Sequence, residues 1–220
     1  MENISQPKQP LPRSKTSNLN TKKKPAPKAV EKEVITQTVS NLPIKKLNNY
    51  AFIDCQNLWT NKDKSWHLDW SKFRTYLLND CQVQRAYLFI GFVSGYQKMY
   101  QQMQEAGFIL IFKPIQENNG RISCNIDTEM VLQTMIQYNN FDKGVIISGD
   151  GDFTCLVDHL RIHDKLEMLI LPDHSYSLSL EKCSRERHVF ISELKNRISK
   201  DNISPTSHED LSLMPMIISE

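Results

Sequence analysis

Six short runs of apolar, β-branched or aromatic residues punctuate the chain: Tyr50–Ile53, Ala86–Phe92, Phe108–Phe112, Val145–Ser148, Glu167–Leu171 and Val189–Ile191. Their length and residue types read as strands. Between them the spacing changes. Trp70, Phe73, Tyr76 and Leu77 recur every three or four residues, as do Tyr96, Met99, Tyr100 and Met103. Thr128–Tyr138 and Phe153–His163 keep the same rhythm, which predicts amphipathic helices. Gly107 and Gly144 stand where helices should end. Strands apolar on both faces, alternating with helices, bury as a parallel sheet with helices on either side. The expected fold is α/β, a three-layer α/β/α sandwich around a mostly parallel sheet of five or six strands.

This pattern occupies only the middle of the 220 residues. Residues 1–46 hold ten Lys/Arg against three acids, six of the ten prolines and no aromatic residue. Such a segment buries too little apolar surface to offset the entropy of ordering it, so 1–46 reads as a disordered, basic Pro/Lys-rich tail. Residues 201–220 also lack aromatics, carry four acids and no Lys or Arg, and read as a second flexible tail. The folding domain is therefore expected over 47–200, where 17 basic and 18 acidic groups nearly cancel. The net charge of +2 is thus a sum of unlike parts, which excludes a uniformly basic protein that wraps nucleic acid. Lys22–Lys24 with Lys28 would attract a phosphate backbone in a salt-dependent way, or would simply keep the tail solvated.

No apolar run follows the early positive charges, and nothing approaches the roughly 18 apolar residues that span a bilayer. The expectation is a cytoplasmic protein with no membrane partner. Its five cysteines form no C-x-x-C pair and read as reduced thiols. His159 and His163 lie one helical turn apart, but no third ligand accompanies them, so they read as an exposed helix face.

The chemistry sits at strand ends. In open parallel sheets ligands bind beyond the carboxyl ends of the strands, where strand order reverses. Asp54 directly follows Phe52-Ile53 and precedes Asn57, and Ser148-Gly149-Asp150-Gly151-Asp152-Phe153 follows Val145–Ile147. Asn125-Ile126-Asp127-Thr128-Glu129 opens the helix before that strand. Taken singly, Asp127 or Asp152 caps a helix and the two glycines supply a tight turn. Taken together, Asp54 and Asp150 share one crevice if their strands are neighbours at the switch point. Carboxylates gathered there resist ionisation unless a cation offsets their charge, and oxygen-only donors suit Mg²⁺ or Mn²⁺. The phosphate-loop, dinucleotide and nucleophile-elbow motifs are absent from the chain.

Phe52-Ile53-Asp54 with Asn57-Leu58, then Asp127, then Ser148-Gly149-Asp150-Gly151-Asp152-Phe153, resembles the NYN domain family, LabA-like proteins included, of the PIN-like nuclease superfamily. The resemblance runs from about Asn49 to about Leu194. It implies a PIN-like sandwich and a metal-dependent ribonuclease that hydrolyses RNA, single-stranded RNA being the natural substrate because its bases can be splayed onto aromatics. Asp54, Asp127, Asp150 and Asp152 match the acids expected to hold Mg²⁺ or Mn²⁺. Asn57 matches the polar residue that orients the first loop or a water on the metal, and Ser148 is expected to steady the Asp150 carboxylate. Glu129 reads either as a further acid or as a first-turn residue favoured by the helix dipole.

Cys55 replaces a small residue usual in the family, and Ser123-Cys124 replaces a common Lys-Gly, which leaves Arg121 or Lys113 to contact phosphate. Trp59 is the candidate for stacking on a base, against its reading as a core tryptophan. Trp66 and Trp70 read as core, and Met99 and Met103 as packing or as the face of a homodimer. Two other functions stay open. One is a non-catalytic RNA-binding or regulatory protein on the same fold. The other is a different Mg²⁺/Mn²⁺ phosphate enzyme, disfavoured because Gln56 interrupts the D-x-D that such a site would place after the first strand.

Overall fold

In the computed structural model, strand β1 (Asn49–Asp54) is buried at every one of its six residues, which explains its lack of apolar–polar alternation. The structure describes residues 46–59, 66–118, 121–173 and 176–200, with the side chains of 59, 116–118 and 121–123 outside that description. The tails expected over 1–46 and 201–220 lie outside the described residues, Lys46 apart.

After β1 come α1 (Cys55–Trp59), α2 (Trp70–Asn79), β2 (Val83–Phe92), α3 (Gln97–Glu105) and β3 (Phe108–Pro114). A short hairpin, β4 (Gln116–Asn118) and β5 (Arg121–Ser123), leads to α4 (Asp127–Ile136) and β6 (Gly144–Ile147). A 3-10 turn (Gly151–Phe153), α5 (Thr154–Ile162), β7 (Leu166–Leu171), α6 (Leu178–Ser184), β8 (His188–Phe190), a second 3-10 turn (Ile191–Leu194) and α7 (Lys195–Ile198) complete the order.

The main sheet has six strands in the order β3-β2-β1-β6-β7-β8, and every pairing is parallel. The chain builds outward from β1 to β3, then returns to lay β6 against the other side of β1. That pairing, with Ile53 opposite Ile147, is the switch point. Alternate residues of the strands feed two cores. Ala51, Ile53, Leu88, Ile90 and Ile147 pack with Phe73, Leu77 and Met103 of α2 and α3. On the opposite face Phe52, Phe89, Ile146 and Leu169 pack with Met130, Val157 and Leu180 of α4, α5 and α6. Phe52 stacks on Tyr87 with ring centroids 5.6 Å apart and meets Phe141 edge-on at 5.6 Å. Trp70 is buried and Trp66 is partly buried against the first core.

Met99 and Met103 are 6% and 0% exposed, so they pack inside this chain and are not offered to a second copy. Gly107, at φ +96°, ends α3 in a conformation that an L side chain rarely adopts. Gly144 differs from expectation: α4 closes earlier, through Gln137, and Gly144 opens β6 by donating to the Lys165 carbonyl at 2.7 Å. No helix among the described residues is long and apolar enough to cross a membrane.

Candidate active site

β1 ends in a buried acid. Asp54 is 2% exposed, and all of its acceptor positions meet protein donors. Oδ1 accepts from the backbone N–H groups of Gln56 at 3.0 Å and Asn57 at 3.3 Å. Oδ2 accepts from the Ser148 hydroxyl at 3.1 Å and from the Asn57 amide. An ionised carboxylate has about four lone-pair positions, so these donors fill it. Burial dominates its titration and lifts the pKa from 3.8 to about 6, against the pull of the four hydrogen bonds.

This acid ties the two sides of the switch point together. Asn57 accepts from the Gly149 N–H at 3.3 Å while donating to Asp54. The Ser148 hydroxyl donates to Asp54 and accepts from the Asp150 N–H at 3.0 Å. Ser148 therefore holds the Asp54 carboxylate and the Asp150 backbone; the Asp150 carboxylate, which the sequence reading assigned to it, faces elsewhere. Asp150 Oδ1 accepts from the Asp152 N–H at 3.0 Å and caps the 3-10 turn. Capping thus falls to Asp150, and neither Asp127 nor Asp152 performs it.

Asp127 is the first residue of α4, whose N-cap is Ile126 with no side-chain bond. Asn125 supplies the local acceptor for the Asp127 N–H at 3.0 Å, which leaves the Asp127 carboxylate uncommitted by capping. Its pKa is raised, first by burial and then by the negative charge of Asp150, with Asp152 adding to the effect. Asp127 thus feels the charge of both other acids. Among the described residues, however, no three His, Cys, Asp or Glu side chains come close enough together to hold a metal ion as they stand. The fourfold cluster expected from the sequence is thus drawn as a buried Asp54 and a looser group of Asp127, Asp150 and Asp152.

Lys113 reaches from β3 to the start of α4. Its ammonium donates to the Asn125 carbonyl and pairs with Glu129 at 2.8 Å. Glu129 is accordingly a first-turn residue in an ion pair, and Lys113 lowers the cost of charge on Asp127. Arg121 lies on β5 and Trp59 ends α1, but their side chains lie outside the described residues.

Two supports escaped the sequence reading. Gln56 donates through Nε2 to the Cys124 carbonyl at 2.7 Å, linking α1 to the segment that leads into Asp127. Ser177 donates its N–H to the Gly149 carbonyl at 2.8 Å. The glycines answer to this crowding and not to a turn. A Cβ on Gly149 would lie 2.6 Å from Pro172 Cγ, and one on Gly151 would lie 2.9 Å from Ser177 Oγ. The only signal for Gln56 was its place two residues after Asp54, and Ser177 showed only a residue type that favours helix starts.

An all-parallel six-stranded sheet with helices on both faces, and with acids at the junction of its first strand and its return strand, is an α/β fold consistent with the PIN-like class. A family model of the NYN domain matches residues 50–192, and the chain belongs to the NYN domain family, a PIN-like nuclease family. The chain is also similar to the crystal structure of a protein of unknown function from Vibrio parahaemolyticus RIMD 2210633. The TM-score is 0.57 at 19% identity, with 72% of this chain and 100% of that chain covered, a likeness in fold alone. The curated proteins give no match.

Proposed function

We propose that the chain is a metal-dependent ribonuclease that hydrolyses phosphodiester bonds in single-stranded RNA. The observation that carries this is Asp127, which opens α4 with a carboxyl not used for capping and a pKa raised first by burial and then by the charges of Asp150 and Asp152. Such mutual repulsion is what a divalent cation relieves, and the donors are oxygen only, which suits Mg²⁺ or Mn²⁺. Asp127, Asp150 and Asp152 are the residues that would hold it. When bound, the metal would polarise the scissile phosphate and make water a better nucleophile near neutral pH. Asp54 acts through its neighbours. It fixes Asn57 and Ser148, and through them the backbone of Gly149 and Asp150. The five free cysteines suit a reducing compartment, in keeping with a cytoplasmic setting.

One observation favours a second reading, an RNA-binding protein without catalysis: Asp54 is fully engaged with protein donors and, among the described residues, no three acids are drawn into one metal-holding group. A single experiment separates the two. The purified chain and its Asp150→Asn variant are incubated with RNA and DNA oligonucleotides in Mn²⁺, Mg²⁺ or EDTA. The ribonuclease reading requires RNA cleavage that needs metal and is lost in the variant. Metal-independent cleavage, or binding with no cleavage in any condition, removes it.

A further inference from the structure

We propose that Phe92 and Phe112 form a stacking subsite for unpaired bases of the RNA strand, an inference that rests on the ribonuclease reading above. Both residues are large, apolar and open to solvent, 43% and 42% exposed. Among the described residues the other exposed large hydrophobics are aliphatic: they include Leu78, Leu132, Ile136 and Ile162. Among the described residues, these two are the aromatic members of that exposed set. Their rings meet edge to face at 5.6 Å, an arrangement that leaves ring surface free for a third partner.

The pair is held from below. Tyr100 lies 4.9 Å from Phe112 and 5.9 Å from Phe92, ring centroid to ring centroid. Its own hydroxyl accepts from the Val93 N–H at 2.9 Å. A platform fixed in this way loses little side-chain freedom when a base lands on it.

Position ties the pair to the acids. Asp54 is in register with Phe89 on β2, and Phe112 of β3 is in register with the next residue, Ile90. Phe112 therefore stands two strand spacings from Asp54, roughly 10 Å between backbones, with its ring on the face covered by α3 and the Asp54 carboxyl on the opposite face, so the two meet only across the carboxyl-end crest of the sheet. Phe92 lies two residues beyond Ile90 at the carboxyl end of β2, the end at which Asp54 closes β1. Lys113, the next residue after Phe112, turns to the opposite face and brings its ammonium to Asn125 and Glu129, at the start of the helix that Asp127 opens. Consecutive residues of one strand thus set an aromatic ring and a cation on the two sides of the sheet's crest. Unpaired bases of a single strand can reach such a ring, whereas a duplex with its bases stacked inside offers it only phosphates.

The test uses the full chain carrying Asp150→Asn, which prevents cleavage, with and without Phe92→Leu and Phe112→Leu together. Leucine keeps the apolar volume against Tyr100 and removes the stacking face. Affinity is measured for a labelled single-stranded oligoribonucleotide, the same oligonucleotide with abasic riboses, and an RNA duplex. The expected result is a loss of roughly tenfold or more on the single strand, with little change on the abasic strand or the duplex. Unchanged single-strand affinity, or an equal loss on the abasic strand, overturns the subsite. A changed sedimentation coefficient with RNA affinity intact also overturns it, by assigning the patch to contact between copies. If the double substitution lowers the melting temperature, Phe112→Leu alone is scored by the same three affinities. A parent chain that binds no RNA removes the ribonuclease reading itself. A parent that binds RNA as tightly as the double variant removes only the stacking subsite.

Discussion

Asp54 makes a prediction whose sign is set by burial. Its pKa stands at about 6 in the folded chain against 3.8 for an ordinary carboxyl. Below about pH 4 the group is protonated in both folded and unfolded chains, and it contributes no difference. Between pH 4 and 6 the unfolded chain releases its proton while the folded chain keeps it. Stability then falls as pH rises, and the loss is complete above the folded pKa. Two units at about 1.36 kcal/mol each give a loss of about 3 kcal/mol by pH 7 to 8. At 2% exposure, solvent screening takes little from that figure.

Asp54→Asn removes the titration. It also introduces an amide N–H among the donors of Asn57, Gln56 and Ser148, a penalty that does not vary with pH. The informative quantity is therefore the difference between the two unfolding free energies across pH, and not its value at any one pH. Urea unfolding of both chains in EDTA at pH 4 to 8 should show the wild type losing about 3 kcal/mol relative to Asp54→Asn. In thermal melts this corresponds to roughly 10 °C. A difference that stays flat over this range would refute the reasoning, because it would mean that Asp54 titrates as an exposed carboxyl does.

Three further outcomes follow from the geometry. Gly149→Ala puts a methyl group 2.6 Å from Pro172 Cγ, so urea unfolding should show a loss of about 1–3 kcal/mol, accompanied by weaker RNA cleavage. Arg185 sits at φ 56°, ψ −123°, a region natural to glycine, and Arg185→Gly should raise stability by about 1 kcal/mol; a lower melting temperature would count against stored strain there. Gln56→Ala leaves the Cys124 carbonyl without its amide donor, and RNA cleavage should lose kcat more than it raises KM, as expected of a residue that positions the Asp127 segment.

The strands of the sheet were legible because burial on both faces writes continuous apolar runs, and Phe52-Ile53-Asp54 shows where such a run stops. Placing Asp54 and Asp150 at one junction followed from the rule for parallel sheets, and the pairing of β1 with β6 satisfies it. What stayed hidden depends on contacts across long sequence separations. Ser148 and Asp54 are 94 residues apart, so nothing local told that the hydroxyl serves Asp54 and not the neighbouring Asp150. Gly149 and Gly151 looked like turn formers because their constraint lies on Pro172 and Ser177, far along the chain. α1 is five residues long, too short to display a helical period, and β4 and β5 have three residues each, too few to display an alternation. Gly144 misled because a glycine after a helix is usually a cap, whereas here it opens a strand.

The aspartates are not equivalent, and the difference bears on why one of them is buried at all. If Asp54 served only to knot β1 to β6, an uncharged acceptor would avoid the desolvation that lifts its pKa to about 6. No neutral side chain, however, accepts from four donors at once, as this carboxylate does from Gln56, from Asn57 twice and from Ser148. The charge is thus tolerated for its acceptor capacity, and the rigidity it gives passes through Asn57 and Ser148 to the loop that carries Asp150 and Asp152. Under the ribonuclease reading that division is functional. The buried acid fixes the backbone, and the partly exposed acids keep lone pairs free for a cation. Substituting Asp150 removes a ligand, whereas substituting Asp54 leaves the ligands in place on a loop that has lost its anchor.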